Sequence, residues 1–138
     1  MKIIAALFMD DIDLRSVPGP STRIDLSGVQ FSAPAPGPVP CTVAPHLVVL
    51  VWNPPGGSPD AALEVVFTTS DENESDDPES REQLARNVQP LQIEPGKFNY
   101  RLVRADLTFE EYGTLVARCR INNGPEHVVP YTLLPPVS

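Results

Sequence analysis

Lys97–Leu134, KFNYRLVRADLTFEEYGTLVARCRINNGPEHVVPYTLL, is the stretch whose reading decides the fold. In its middle the side chains alternate: Leu115, Ala117, Cys119 and Ile121 point one way, and Thr114, Val116, Arg118 and Arg120 the other. A period of two is what a half-buried strand requires. Asn122-Asn123-Gly124-Pro125 follows, and Asn and Gly tolerate the positive φ angles of a tight hairpin. Thr108–Glu111 separates an earlier run, so strands are expected over Lys97–Leu107, Tyr112–Ile121 and Glu126–Leu134. Pro130 cannot donate to a ladder, which puts the last strand at an edge or on a bulge. A hairpin with one apolar face is marginal alone in water, so the remaining chain must cover it.

The 138 residues suffice for one domain, 1–138, around a single core. Charged residues are 20% and apolar ones 41%, the balance of a globular chain. Proline, at 17 residues, is more than double its usual share of roughly 5%. Each proline inside a helix costs about 3 kcal/mol, so the prolines punctuate short strands instead. A net charge of −8 repels nucleic acid and anionic membrane surfaces, and neither is expected as a partner. The apolar run Ile3–Met9 is closed by Asp10 and Asp11 with no small-residue cleavage site, so it reads as a strand rather than a secretion signal. A cytoplasmic protein with Cys41 and Cys119 reduced is the expectation.

Upstream, Ile3–Leu14 reads as the first strand and Thr22–Phe31 as the second, with a β-bulge at Gly28, where the apolar phase changes. Ser32–Pro40 (SAPAPGPVP) is a stiff polyproline crossover between sheets. Pro45–Trp52 (PHLVVLVW) is a central strand, and Ala62–Thr69 its hairpin partner with Leu63, Val65 and Phe67 inward. Asp77-Pro78 is a helix-start signature, giving at most one short helix near Pro78–Asn87. Pro90 and Pro95 then bracket a short strand, Leu91–Glu94.

Four pieces carry a resemblance over the whole chain: AALFMDDIDL (Ala5–Leu14), PHLVVLV (Pro45–Val51), LTFEEYGTLVARCRINN (Leu107–Asn123) and VVPYTLL (Val128–Leu134). Together the chain resembles a group of small, uncharacterised bacterial proteins with an immunoglobulin-like sandwich. The third piece is similar to the penultimate hairpin of such domains, with Tyr112-Gly113 standing where Gly-x-Tyr is commoner. The resemblance implies an all-β fold, an immunoglobulin-like antiparallel β-sandwich of seven to nine strands, and no activity.

Chemistry-bearing residues are sparse. Asp71–Glu79 (DENESDDPE) holds six carboxylates and no base. Counted as a 12-residue calcium loop it offers Asp71, Asn73, Asp77 and Glu82 as ligands, but Asp76 stands where the turn needs Gly. It reads as a solvated, self-repelling acidic loop, with calcium or a small ligand as the alternative. Cys41, His46, Cys119 and His127 lack the spacing of a zinc site or a Cys-His nucleophile. No Gly-x-Ser-x-Gly elbow and no phosphate loop occurs. Arg101, Arg104, Arg118 and Arg120, on adjacent expected strands, read as the wet face of a sheet, with a basic patch for an acidic partner or for the Asp71–Glu79 loop as the alternative.

No cofactor and no catalysis are expected. Ile3–Met9 and Leu47–Trp52 are apolar on both faces, whereas a sandwich strand needs only one apolar face. The second face requires cover, so the expected role is a protein-interaction module, self-associating or docking on a bacterial partner protein. Phe8, Val48 and Trp52 are its expected contact residues.

Overall fold

The computed structural model describes residues 1–17, 21–69, 83–104 and 106–136. These form twelve strands and no helix: β1 (Lys2–Met9), β2 (Asp11–Val17), β3 (Ser21–Ser27), β4 (Ser32–Pro34), β5 (Cys41–Val43), β6 (His46–Trp52), β7 (Asp60–Thr69), β8 (Gln83–Gln92), β9 (Phe98–Arg104), β10 (Leu107–Phe109), β11 (Gly113–Ile121) and β12 (His127–Leu134). A three-stranded sheet, β1-β6-β9, and a five-stranded sheet, β4-β12-β11-β7-β8, contribute to one core. β5 pairs with β10, and β2 with β3, as separate ribbons. The arrangement is all-β and sandwich-like. Eight strands lie in the two larger sheets, and the four ribbon strands raise the count above the expected seven to nine.

The core follows from the alternation. Leu115, Ala117 and Cys119 of β11 are buried beside Leu63, Val65 and Phe67 of β7. Ala6 and Phe8, with Leu47, Val49 and Val51, join the same cluster from the other sheet. The rings of Phe8 and Tyr131 meet across the sandwich with centroids 5.0 Å apart. At the β11–β12 hairpin Asn122 and Asn123 adopt φ of 49° and 62°, and Gly124 N–H donates to Ile121 O at 2.8 Å. The Asn122 carboxamide oxygen also accepts from Ala62 N–H at 2.9 Å, fastening the hairpin to β7. Pro130 sits where β12 has β11 on one side only, because β4 reaches no further than Thr132. Its missing donor is therefore on an open edge.

Several expectations are corrected. Ile3–Leu14 is two strands that break at Asp10. The bulge in this region lies between Ile3 and Ala5, not at Gly28. Gly28 instead marks a kink: Phe8 faces Gln30, Asp11 faces Ser27, and the register is the same on both sides of it. Its φ of +69° suits glycine, and a Cβ there would overlap the Asp10 carboxylate. Ala62–Thr69 is no partner of Pro45–Trp52. Both edges of β6 are taken by β1 and β9, so the chain crosses to the other sheet through residues 53–59. The crossover reading of Ser32–Pro40 gains a detail, since Ser32–Pro34 itself pairs in parallel with Thr132–Leu134.

The short helix is replaced by β8 over its described part, 83–87, and the strand expected at Leu91–Glu94 is the end of that longer one. Local propensity yields to the ten-residue partner that β7 offers. Pro90 is tolerated within β8 because β8 is an edge strand. The acidic run Asp71–Glu79 lies outside the described residues.

Candidate functional site

The outer face of the three-stranded sheet is the chemically unusual surface. Cross-strand register stacks it in layers: Leu7, Val48 and Leu102; Ala5, Leu50 and Tyr100; then Lys2, Trp52 and Phe98. The two middle layers carry no charge; Lys2 stands in the last one, opposite Trp52, and Arg104 at the far end, opposite His46. At the Met9 end the face is closed, since Met9 and Val48 are buried yet stand outside the central cluster. Toward the other end it opens: Trp52 is 37%, Phe98 45% and Leu102 44% exposed, and Ile4, at the β1 bulge, 53%. Large apolar side chains grouped on one face, rather than scattered singly, mark contact surfaces. Of the three expected contact residues, Trp52 alone is exposed. Phe8 (1% exposed) turns into the core, and Val48 (0%) is covered. Phe98 and Leu102, which line up with Trp52 and Val48 on β9, were hidden in the sequence because the β6–β9 pairing is not local.

Around Trp52 the scaffold is rigid for identifiable reasons. Pro54–Gly57 and Glu94–Lys97 are both four-residue turns closed by an i+3 hydrogen bond, with Pro second and positive-φ Gly third. Asn53, fully buried, binds them together. Its N–H donates to Lys97 O (2.9 Å), and its carbonyl accepts from Gly96 N–H (2.7 Å). Its Nδ2 donates to Ser58 O (2.9 Å) and Ile93 O (2.8 Å). Trp52 and Phe98 are thus carried on strand ends pinned by one side chain.

The arginines do not form one patch. Arg101 and Arg104 are on β9 and Arg118 and Arg120 on β11, in different sheets, because β10 carries the chain away to pair with β5. Arg120 donates to Glu64 at 2.7 Å and Arg86 to the same carboxylate at 2.6 Å. The Arg86 hydrogen bond, against the opposing effect of burial and with help from Arg120, holds the Glu64 carboxyl below its ordinary 4.5. Arg118 is occupied by Thr68 and Glu126. This face is internally neutralised.

Among the soft ligands the fold brings together one pair, Cys119 and His127, which are cross-strand partners. Burial pushes the Cys119 thiol up to about 12, the reverse of what an activated nucleophile needs. Cys41 is half-buried, and both thiols are free. His46 approaches Asp10 O at 3.4 Å. Asp71, Asn73, Asp77 and Glu82 lie outside the described residues, and among those described no group of three His, Cys, Asp or Glu could hold a metal. A cleft of about 290 Å³ is lined by Met1, Lys2, Ile3, Ile121, Pro125, Glu126 and His127. Among the described residues no helix is long and apolar enough to cross a membrane. No protein-family model matches the chain, and comparison with curated proteins finds no relative.

Proposed function

We propose that the chain is a non-catalytic protein-interaction module, docking another protein chain on the outer face of the β1-β6-β9 sheet around Trp52, Phe98 and Leu102. The observation that supports this reading is the grouping of exposed Trp52, Phe98 and Leu102 on one apolar-layered face, whose charges, Lys2 and Arg104, stand only at its two ends. Such a face is costly to leave in water, at about 25 cal/mol per Å² of apolar area. Aromatic residues on a rigid frame are the usual anchors of an interface.

An immunoglobulin-like topology belongs to the same reading. In chain order β1, β6, β7, β8, β9, β11 and β12 fill the places of strands A, B, C, C′, E, F and G. The two sheets then read A-B-E and G-F-C-C′. Domains of this plan commonly serve as binding scaffolds, which is analogy and not activity. A bacterial, cytoplasmic setting is in keeping with the resemblance and with two free thiols. The calcium-binding alternative has no observation in its favour among the described residues.

Charge substitutions test the reading. Trp52→Asp and Phe98→Lys should each weaken capture of a partner, or self-association if the partner is a second copy, by about tenfold or more. Because both side chains are partly exposed, thermal stability should change little. Partner-free protein that buries no surface at any concentration, together with W52D and wild type recovering identical partners in quantitative proteomics, would remove the proposal.

A further inference from the structure

β2 and β3 form a two-stranded arm whose backbone pairs with no other strand among the described residues. At its root Asp10 N–H donates to Ser27 O (3.0 Å), Gln30 N–H to Phe8 O (2.9 Å), and the Gln30 amide to the Asp10 carboxylate (3.0 Å). Beyond the root the arm runs about 24 Å, at roughly 3.4 Å per residue. Its two faces differ. Ile12 lies opposite Leu26 and Leu14 opposite Ile24, making one face apolar, with Leu14 52% exposed. Asp13 lies opposite Asp25 and Arg15 opposite Arg23, so the other face carries like charges in direct opposition. A lone two-stranded ribbon is marginally stable in water, and opposed like charges weaken it further.

The diagonal ion pair Arg15–Asp25 relieves part of this, with Arg15 Nη2 3.0 Å from Asp25 Oδ1. The other diagonal, Asp13 with Arg23, is not joined, and Arg23 has no ion-pair partner among the described residues. β3 itself reads Arg23-Ile24-Asp25 at its centre, three residues from either end of Ser21–Ser27. An antiparallel copy of that strand, related by a two-fold axis through Ile24, faces Arg23 with the copy's Asp25 and Asp25 with the copy's Arg23. A parallel copy would set Arg against Arg. The free edge of β2 is less suited, because Asp11, Asp13 and Arg15 leave it net acidic in a chain already at −8.

We propose that the arm dimerises this protein: β3 of one copy pairs edge to edge with β3 of a second, antiparallel about Ile24. The product is a continuous four-stranded sheet, β2-β3-β3-β2, above the three strands at which a sheet with an apolar face becomes independently stable. The interface is isologous and closes at two, so it does not propagate into fibres. This surface is separate from the sheet face around Trp52, and either can fail without the other.

Sedimentation over a wide concentration series is the test. Wild type should dimerise. Arg23→Asp should raise the dimer dissociation constant by about tenfold or more, since it places two acids against two acids. Asp25→Arg should do the same with bases. An equimolar mixture of R23D and D25R should recover a dimer containing one chain of each. Because D25R also loses the Arg15 contact, oxidative cross-linking gives an independent readout: Ile24→Cys should yield covalent dimer, whereas Ile12→Cys, on the far strand, should not. A wild type monomeric throughout, a dimer indifferent to R23D, or a dimer abolished by W52D while R23D leaves it intact would each overturn the proposal.

Discussion

Asn53 illustrates how one buried polar group sets a whole end of the sandwich. Two of its hydrogen bonds come from the carboxamide nitrogen, and its Oδ1 is buried with no hydrogen-bond partner among the described residues. Gly57 packs so close to that oxygen that a Cβ would overlap it. Asn53→Ala should therefore destabilise by about 2–4 kcal/mol, as the carbonyls of Ser58 and Ile93 lose their donor. Asn53→Asp should cost at least as much, since a carboxylate cannot donate and would be buried unpaired. Urea denaturation checks both, and equal stability of N53A and wild type would refute the role. Cys119 gives a second test at this scale. Its thiol titrates near 9 when exposed and about 12 when folded, because burial disfavours the thiolate. Below pH 9 neither state ionises it and there is no penalty. Between 9 and 12 the unfolded chain ionises and the folded one does not, so stability falls as pH rises. Cys119→Ala should be less stable overall but flatter over that window, read from melting temperatures at stepped alkaline pH.

At the scale of elements, legibility tracked how local the deciding interaction is. β11 was readable because its alternation is clean and the Asn122-Asn123-Gly124 turn sits beside it. β8 was not, because its inward positions Asn87 and Gln89 are polar and obscure the period of two. Those side chains have a purpose that only the tertiary fold reveals. Gln89 Nε2 donates to Asn87 Oδ1 (3.0 Å) and to Leu102 O on β9 (3.1 Å). Arg101 of β9 reaches back to Pro90 O through Nε (3.4 Å) and Nη2 (3.3 Å). The free edges of the two sheets are thus stitched by side chains rather than by a ladder. Unpaired edges template association with other chains, and this stitch guards both at once. The double variant Gln89→Ala, Arg101→Ala should lose about 1–2 kcal/mol and scatter light on mild heating. If it remains clear under conditions where wild type is clear, the stitch has no protective role. The candidate site was half legible for the same reason: two-faced apolarity marked β1 and β6, but the inward turn of Phe8 is set by its pairing opposite Leu47, which is not local.

For the molecule as a whole, the order in which sheets are filled matters as much as their contents. β4, early in the chain, finds its partner in β12, with Ser32 opposite Thr132 about a hundred residues later. The three-stranded sheet likewise waits for β9 before β6 has both neighbours. Such distant pairings make for slow folding, on the scale of milliseconds to seconds. During synthesis the consequence is sharper. At about 5–20 residues per second, the ribosome needs roughly 5–20 s to travel from β4 to its partner. Until β9 emerges within that interval, the nascent chain presents the apolar β1 and β6 without their third strand. A fold that joins early strands to late ones therefore leaves its apolar segments to be made well before their neighbours exist.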